Sequence, residues 1–348
     1  MDKQELTKKI KMKALELGFS KVGTTNANDF VEYEQELNSR PDYTPWINTP
    51  ETGYLIDGCR PQTFYPEGKS IICTVYGFSD TLFPEELTPY VGRAYLNRSY
   101  RALAESSYGL RVNAFKDFIK SLGISMYEGD IIVPERMACA RAGVITYGKN
   151  NFAYTEENGS FISLYTFVVD IELEYDDPTI ICKCPPDCQQ CIKTCPTHAI
   201  AQARRLLPLN CVLLNNISNM VIPNELREGI GTRIHGCDAC QLACPRNKEV
   251  LANASRKDLF LEELKKDFDL ERILLLDDKY YQDVVYPIMY LLRDLDLFRR
   301  NAAIALGNTG DQSHIPALKK ALENPNPLVR DAAQWAIGKL SVNESQPI

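Results

Sequence analysis

Nine of the chain's 12 cysteines fall between Cys182 and Cys244, and six of them form two runs of one pattern, Cys188-x2-Cys191-x3-Cys195-Pro196 and Cys237-x2-Cys240-x3-Cys244-Pro245. A C-x2-C-x3-C-P ending used twice is the pattern of a two-cluster ferredoxin module, in which the last cysteine of each run ligates the other cluster. Structural zinc, the main rival, needs only four ligands in two C-x2-C knuckles and has no use for a repeated x3-C-P tail. The ferredoxin pattern places Cys188, Cys191, a preceding cysteine and the crossing Cys244 on cluster one. Cys237, Cys240, the crossing Cys195 and Cys211 go to cluster two, because Cys211 is the only cysteine between the runs. A two-residue gap before Cys188 would fall on Pro185, so the preceding ligand is Cys184, with Cys182 in reserve. Two [4Fe-4S] clusters in one chain form a short wire suited to single electrons rather than to hydrolysis. Cys59, Cys73 and Cys139 stand apart, and the apolar surroundings of Cys73 and Cys139 mark buried thiols.

The elements around these runs divide the chain into three parts. Residues 1–175 alternate strand-like apolar runs, 70–78 and 160–173, with helical stretches such as 107–122, the pattern of an α/β (α+β) domain. Residues 176–255 carry the cysteine runs among short helices, including 223–231. Residues 256–348 read as helical. There, 299–307 aligns with 330–338, matching Arg299 with Arg330, Ala302 with Ala333, Ala305 with Ala336 and Gly307 with Gly338. A partner helix from His314 to Leu322 lies between them, which suggests HEAT-like repeats.

At 348 residues the chain is long enough for several cores, so a disulfide miniprotein is excluded. With 45% hydrophobic and 24% charged residues it is neither disordered nor collagenous. The start is an amphipathic helix with Leu6, Ile10, Met12, Leu15 and Leu17 among lysines, without the apolar core of a secretory signal. No uncharged apolar run approaches the roughly 18 residues of a membrane span. A cytoplasmic, monomeric protein without membrane contact is expected, and reduced thiols free for metal suit that compartment. A net charge of −7 gives no whole-chain attraction to nucleic acid. The repeat end, however, concentrates Arg299, Arg300, Lys319, Lys320 and Arg330, a candidate phosphate-binding face.

The order of these parts resembles the epoxyqueuosine reductase family, the cobalamin-dependent enzymes of tRNA queuosine synthesis, and more remotely the reductive dehalogenases. The resemblance covers most of the chain. It is carried by 135–143, 148–150, 158–164, 191–200, 222–247, 298–311 and 326–340. It implies a corrinoid held base-off by the N-terminal domain, electrons passing through the clusters to cobalt, and a carboxylic acid that donates a proton. It also implies an external donor of flavodoxin or ferredoxin type and tRNA bound through the helical end. Arg60 and the 141–151 segment, with Arg141, Lys149, Asn150 and Asn151, are the candidates for corrinoid contact. His198, His235 and His314 read as local structural residues, and the tyrosines from Tyr90 to Tyr108 as packing.

Three departures from the family pattern bear on the substrate. The family's acid stands seven residues before the Arg of a Glu-Arg pair, and here that position is Gly129, with Glu128 before it and Asp130 after it. Asp130 is therefore the candidate proton donor. The family's Asp-Tyr-His stretch is absent from 93–109, and the Trp after the second Cys-Pro is Arg246. The sequence thus points to a corrinoid and iron–sulfur reductase of the epoxyqueuosine type. The alternatives are a divergent reductase of another substrate and a non-catalytic protein that delivers electrons to a corrinoid.

Overall fold

The computed structural model describes residues 2–99, 106–179, 182–289, 292 and 294–342. Its first helix, Lys3–Glu16, is capped by Asp2, whose carboxylate accepts from the Glu5 amide at 2.7 Å. Leu6, Ile10 and Ala14 recur at helical spacing and are buried, whereas Met12 and Leu15 lie off that face and are exposed.

Three strands, β1 (Lys21–Asn26), β2 (Ser70–Gly77) and β3 (Ile162–Val169), form an antiparallel sheet with β2 in the middle. Cys73 faces Gly23 on one side and Thr166 on the other. Helices cover both faces, which explains why β2 reads as an unbroken apolar run instead of alternating. Ile71, Cys73 and Val75 pack with Ala138 and Cys139 of the helix Glu135–Arg141, while Ile72 points the other way, to Ile10 and to Phe115 of the helix Ser107–Ser121. The mixed α/β region is thus a small antiparallel sheet between helical layers.

The third core does not follow chain order. Leu87, Val91, Tyr95 and Leu96 pack with residues from Val212 to Leu340, so this piece of the first 175 residues joins the core of the cysteine-bearing and helical parts. Among the described tyrosines of the 90–108 stretch, Tyr90 packs on Phe268, Tyr95 on His235 and Tyr108 on Phe19 and Tyr76. Tyr100 lies outside the described residues.

The repeat appears as helices Leu295–Thr309 and Pro327–Val342 around the shorter Ile315–Ala321. The aligned Ala302, Ala305, Ala333 and Ala336 are all fully buried, small enough for the two long helices to pack closely. One expectation fails here. Arg300 is 1% exposed and faces inward, away from any phosphate. Its Nη1 donates to the carbonyls of Ser218 (2.6 Å) and Met220 (2.9 Å), and its Nη2 to those of Asn215 (2.7 Å) and Asn216 (3.1 Å). Asn301 beside it donates to the Asn216 and Ile234 carbonyls at 2.8 and 2.9 Å. The repeats are therefore bolted to the loops of the cysteine module. Arg299 is likewise engaged, with Asp296 at 2.7 Å and with the Leu276 carbonyl. Lys319, Lys320 and Arg330 remain exposed, though Arg330 Nη1 donates to the carbonyls of Asn324 and Pro325, both at 2.7 Å.

Replacing Arg300 by Met should strip partners from several buried carbonyls and destabilise the chain by about 3 kcal/mol or more. Urea unfolding measures this, and a loss under about 1 kcal/mol would mean that water replaces the guanidinium.

Candidate metal centre and its surroundings

The geometry of the two runs follows from their prolines. A residue before proline is held in extended backbone. Cys195 (φ −63°, ψ 115°) ends the helix Gln190–Thr194 in that conformation. Cys244 (φ −77°, ψ 122°) adopts it before Pro245, which opens the helix Pro245–Ala252. Each crossing cysteine is thereby turned out of its own helical run.

Cys184, Cys188, Cys191 and Cys244 line one small pocket, together with Lys149, Asn150, Tyr154, Gln190 and Pro245. This is the first four-thiol set, crossing cysteine included. It takes Cys184 into the lining, whereas Cys182 forms a backbone bridge to Tyr147. Burial raises the Cys191 thiol, and Cys244, Cys184 and Cys188 raise it further. The second set gathers in the same way. Burial pushes Cys211 up to about 11, with Cys237 and Cys195 adding to the shift. Cys240 is raised well above the ordinary thiol range by burial and by Cys237, Cys211, Cys191 and Cys195. Such thiols hold their protons until metal displaces them. Among the described residues no three His, Cys, Asp or Glu side chains converge on a single-ion position. The first set joins Cys244 of the second run to Cys184, Cys188 and Cys191, the crossed arrangement of a two-cluster module.

Residues from the α/β region hold this centre in place. Lys149 Nζ donates to the carbonyls of Pro185 (2.8 Å), Pro186 (2.7 Å) and Cys188 (2.9 Å), so all three of its protons fasten the first ligand loop. Asn150 Nδ2 donates to the Tyr154 hydroxyl at 2.9 Å and to the Cys240 carbonyl at 3.4 Å. Behind the second run, Asn247 Nδ2 donates to Ser160 Oγ (2.8 Å) and to the Gln241 carbonyl (2.7 Å), while its Oδ1 accepts from the Ser160 amide (2.9 Å). Gly159 (φ +54°) lets the hairpin come this close, since a β-carbon there would strike Asn247 Oδ1. Arg246, in the family's Trp position, lies 4.2 Å over the Tyr154 ring and donates to Thr146 Oγ1 at 2.8 Å. His235 is fully buried, which lowers it to about 3 and keeps it neutral, and among the described residues neither ring nitrogen has a partner.

The residues read for a corrinoid are each engaged within the fold. Lys149 and Asn150 belong to the first thiol cavity. Arg141 donates to the carbonyls of Asn28 (3.3 Å) and Asp29 (3.1 Å) and lies 4.1 Å over Phe30. Arg60 pairs with Glu34 at 3.1 Å. Asn151 is a left-handed turn residue (φ +64°) whose carbonyl accepts from Arg136. The donor set of the thiol cavity fits clusters.

The loop that carries the candidate acid is tied down at both ends. The Ile132 amide donates to the Gly53 carbonyl at 3.0 Å, and the Ile131 amide to the Tyr127 hydroxyl at 3.3 Å. A β-carbon at Gly129 would collide with that same hydroxyl, so the position has no room for an acid unless Tyr127 moves. Glu128 pairs with Lys120 at 2.9 Å. Asp130 is exposed, and its carboxylate makes no hydrogen bond or ion pair among the described residues. Sequence reasoning missed Tyr127, Tyr154, Ser160, Gln241 and Asn247. Tyr154 and Gln241 sit beside the stretches that carried the resemblance or within them, but nothing in their spacing announces a role.

Two four-thiol sites placed side by side, a mixed α/β region and a HEAT-like end define an iron–sulfur oxidoreductase. The model of the 4Fe-4S double cluster binding domain matches residues 183–247, and that of HEAT repeats matches 287–348. An epoxyqueuosine reductase of Lactococcus garvieae is 30% identical over 361 residues, covering 97% of this chain and 97% of that protein. One from Staphylococcus aureus is 26% identical, over 99% and 92%. The crystal structure of a selenomethionine-labelled epoxyqueuosine reductase has the same fold, with a TM-score of 0.81 at 24% identity over 97% of this chain and 90% of that one. An epoxyqueuosine reductase solved with an epoxyqueuosine-modified tRNA-Tyr stem loop gives 0.78 at 23%, over 99% and 95%. The chain belongs to the epoxyqueuosine reductase family. No helix among the described residues is long and apolar enough to cross a membrane.

Cys184→Ala should lose the first cluster and about half of the roughly eight irons of a two-cluster module, while Cys182→Ala keeps them. Iron quantification after anaerobic purification decides between the two, and the opposite outcome would make Cys182 the ligand.

Proposed function

We propose that this chain reduces epoxyqueuosine to queuosine in tRNA. The observation that carries the reading is the crossed thiol cavity of Cys184, Cys188, Cys191 and Cys244 beside a second set, in a chain that its family matches from end to end. Removal of the epoxide oxygen takes two electrons and two protons and releases water. The two cluster sites, Cys184, Cys188, Cys191 and Cys244 with Cys195, Cys211, Cys237 and Cys240, deliver the electrons singly. An external one-electron donor of flavodoxin or ferredoxin type supplies them. Of the three residues around the family's acid position, Asp130 alone has a carboxylate free to hold a proton for the leaving oxygen, since Glu128 is paired and Gly129 has no side chain. The stem loop seen with a relative supports tRNA as the substrate carrier, and Lys319, Lys320 and Arg330 are the exposed cations of the helical end that would meet its phosphates.

Cobalamin belongs to the reading on family grounds, with Arg60, Arg141, Lys149, Asn150 and Asn151 as the candidate contacts. Anaerobic purification with added cobalamin should give about eight irons and one cobalt per chain. Iron without cobalt would favour a protein that only transfers electrons. In the loaded enzyme, Asp130→Asn should lower the conversion of epoxyqueuosine in a tRNA stem loop by about 10²–10⁴-fold, while Glu128→Gln changes it little. Full conversion by Asp130→Asn would remove Asp130 from the proton path. No conversion by a fully loaded wild-type protein would assign the chain to another substrate.

A further inference from the structure

The two cysteine runs meet solvent differently. From Lys183 to Gln190 every residue is exposed except the half-buried Cys184 and Cys188, with Pro185 and Pro186 at the crest of the loop. Around the second run, Ile234, Gly236 and Asp238 are buried beneath the 90–96 segment and the repeat helices. Seven of the eight expected ligand thiols are half-buried and Cys191 is buried, so it is the loop before the first run that stands out to solvent.

The surface around that first site is also charged against the rest of the chain. Residues 183–205 hold four cations, Lys183, Lys193, Arg204 and Arg205, and one acid, Asp187, in a chain of net charge −7. The fold brings the hairpin that carries Arg204 and Arg205 up to the ligand loop. The Arg204 amide donates to the carbonyl of Lys149, the residue whose ammonium fastens the ligand loop, so the hairpin Ile200–Leu206 lies beside that loop. Lys183 is paired with Glu156 at 2.6 Å, and Arg205 faces Glu36 at 3.9 Å. Lys193 and Arg204 are exposed and make no ion pair among the described residues. An apolar crest of two prolines within a cationic rim has the build of a transient protein-docking patch, where charge sets the encounter rate more than the final affinity.

Resting on the reading that both sites hold reducible clusters, we infer that the face formed by Pro185, Pro186, Lys193 and Arg204 is where an acidic one-electron carrier protein docks to reduce the first cluster. One electron leaves the reduced carrier and is taken up at the Cys184, Cys188, Cys191 and Cys244 site. No atom or proton is exchanged. Nucleic acid could also be drawn to a cationic rim, but the redox site at its centre and the proline crest favour a protein that carries electrons.

The test compares wild type with Lys193→Glu/Arg204→Glu, both purified anaerobically with full iron. Reduced flavodoxin and a reduced plant-type [2Fe-2S] ferredoxin serve as acidic donors, with cluster bleaching followed by stopped flow. The wild-type rate should fall steeply with added salt, and the double variant should be reduced about 10–100-fold more slowly at low salt. Photoreduction with a deazaflavin should be equal in both proteins. A donor rate that is unchanged in the variant, or independent of salt, overturns the inference. So does a variant that keeps its donor rate but loses affinity for a tRNA stem loop. A wild-type protein without any photoreducible chromophore would overturn the functional reading itself, which separates the two failures.

Discussion

The exchange of one cysteine between two ligand runs is the constraint on which the rest of the molecule depends. Because Cys244 closes the cavity begun by Cys184, Cys188 and Cys191, neither run can be completed alone, and the chain between them must fold back on itself. Proline supplies the local cause. It forces Cys195 and Cys244 into extended backbone and so takes both out of the helices that hold their neighbours. Lys149, Asn150 and Asn247 then support the crossing, by donating to carbonyls that the bent ligand loops leave open.

This arrangement separates how electrons arrive from what receives them. The cluster surroundings are densely specified by buried hydrogen bonds, while Asp130 stands exposed on its loop. Tyr127 shapes that loop. Its hydroxyl fills the space a side chain at 129 would need and also accepts the Ile131 amide, so the loop is built around the glycine. An Asp placed at 129 would require the Tyr127 ring to shift.

Much of this was legible in the sequence because metal-ligand spacing and proline positions are local signals. The runs, the two long repeat helices and the buried β2 all follow from residues near one another in the chain. What stayed hidden depends on partners far away in sequence. Arg300 looked like its solvent-facing neighbours, and only the carbonyls of residues 215–220 make it an interior group. Lys149 and Asn150 lay in a stretch marked by resemblance, yet their side chains serve the thiol cavity. The piece 87–96 left its own domain's core because its apolar residues find their complement in helices some two hundred residues later.

The grip of Arg300 on the loop after Cys211 also bears on the order in which the protein can mature. A nascent chain that has emerged through Cys244 already owns every thiol of both sites, but the segment that follows Cys211 still lacks the guanidinium that satisfies its carbonyls. Metal loaded at that stage would enter a second site with an unfinished wall. Completion of the last helices is then what gives those carbonyls their partner.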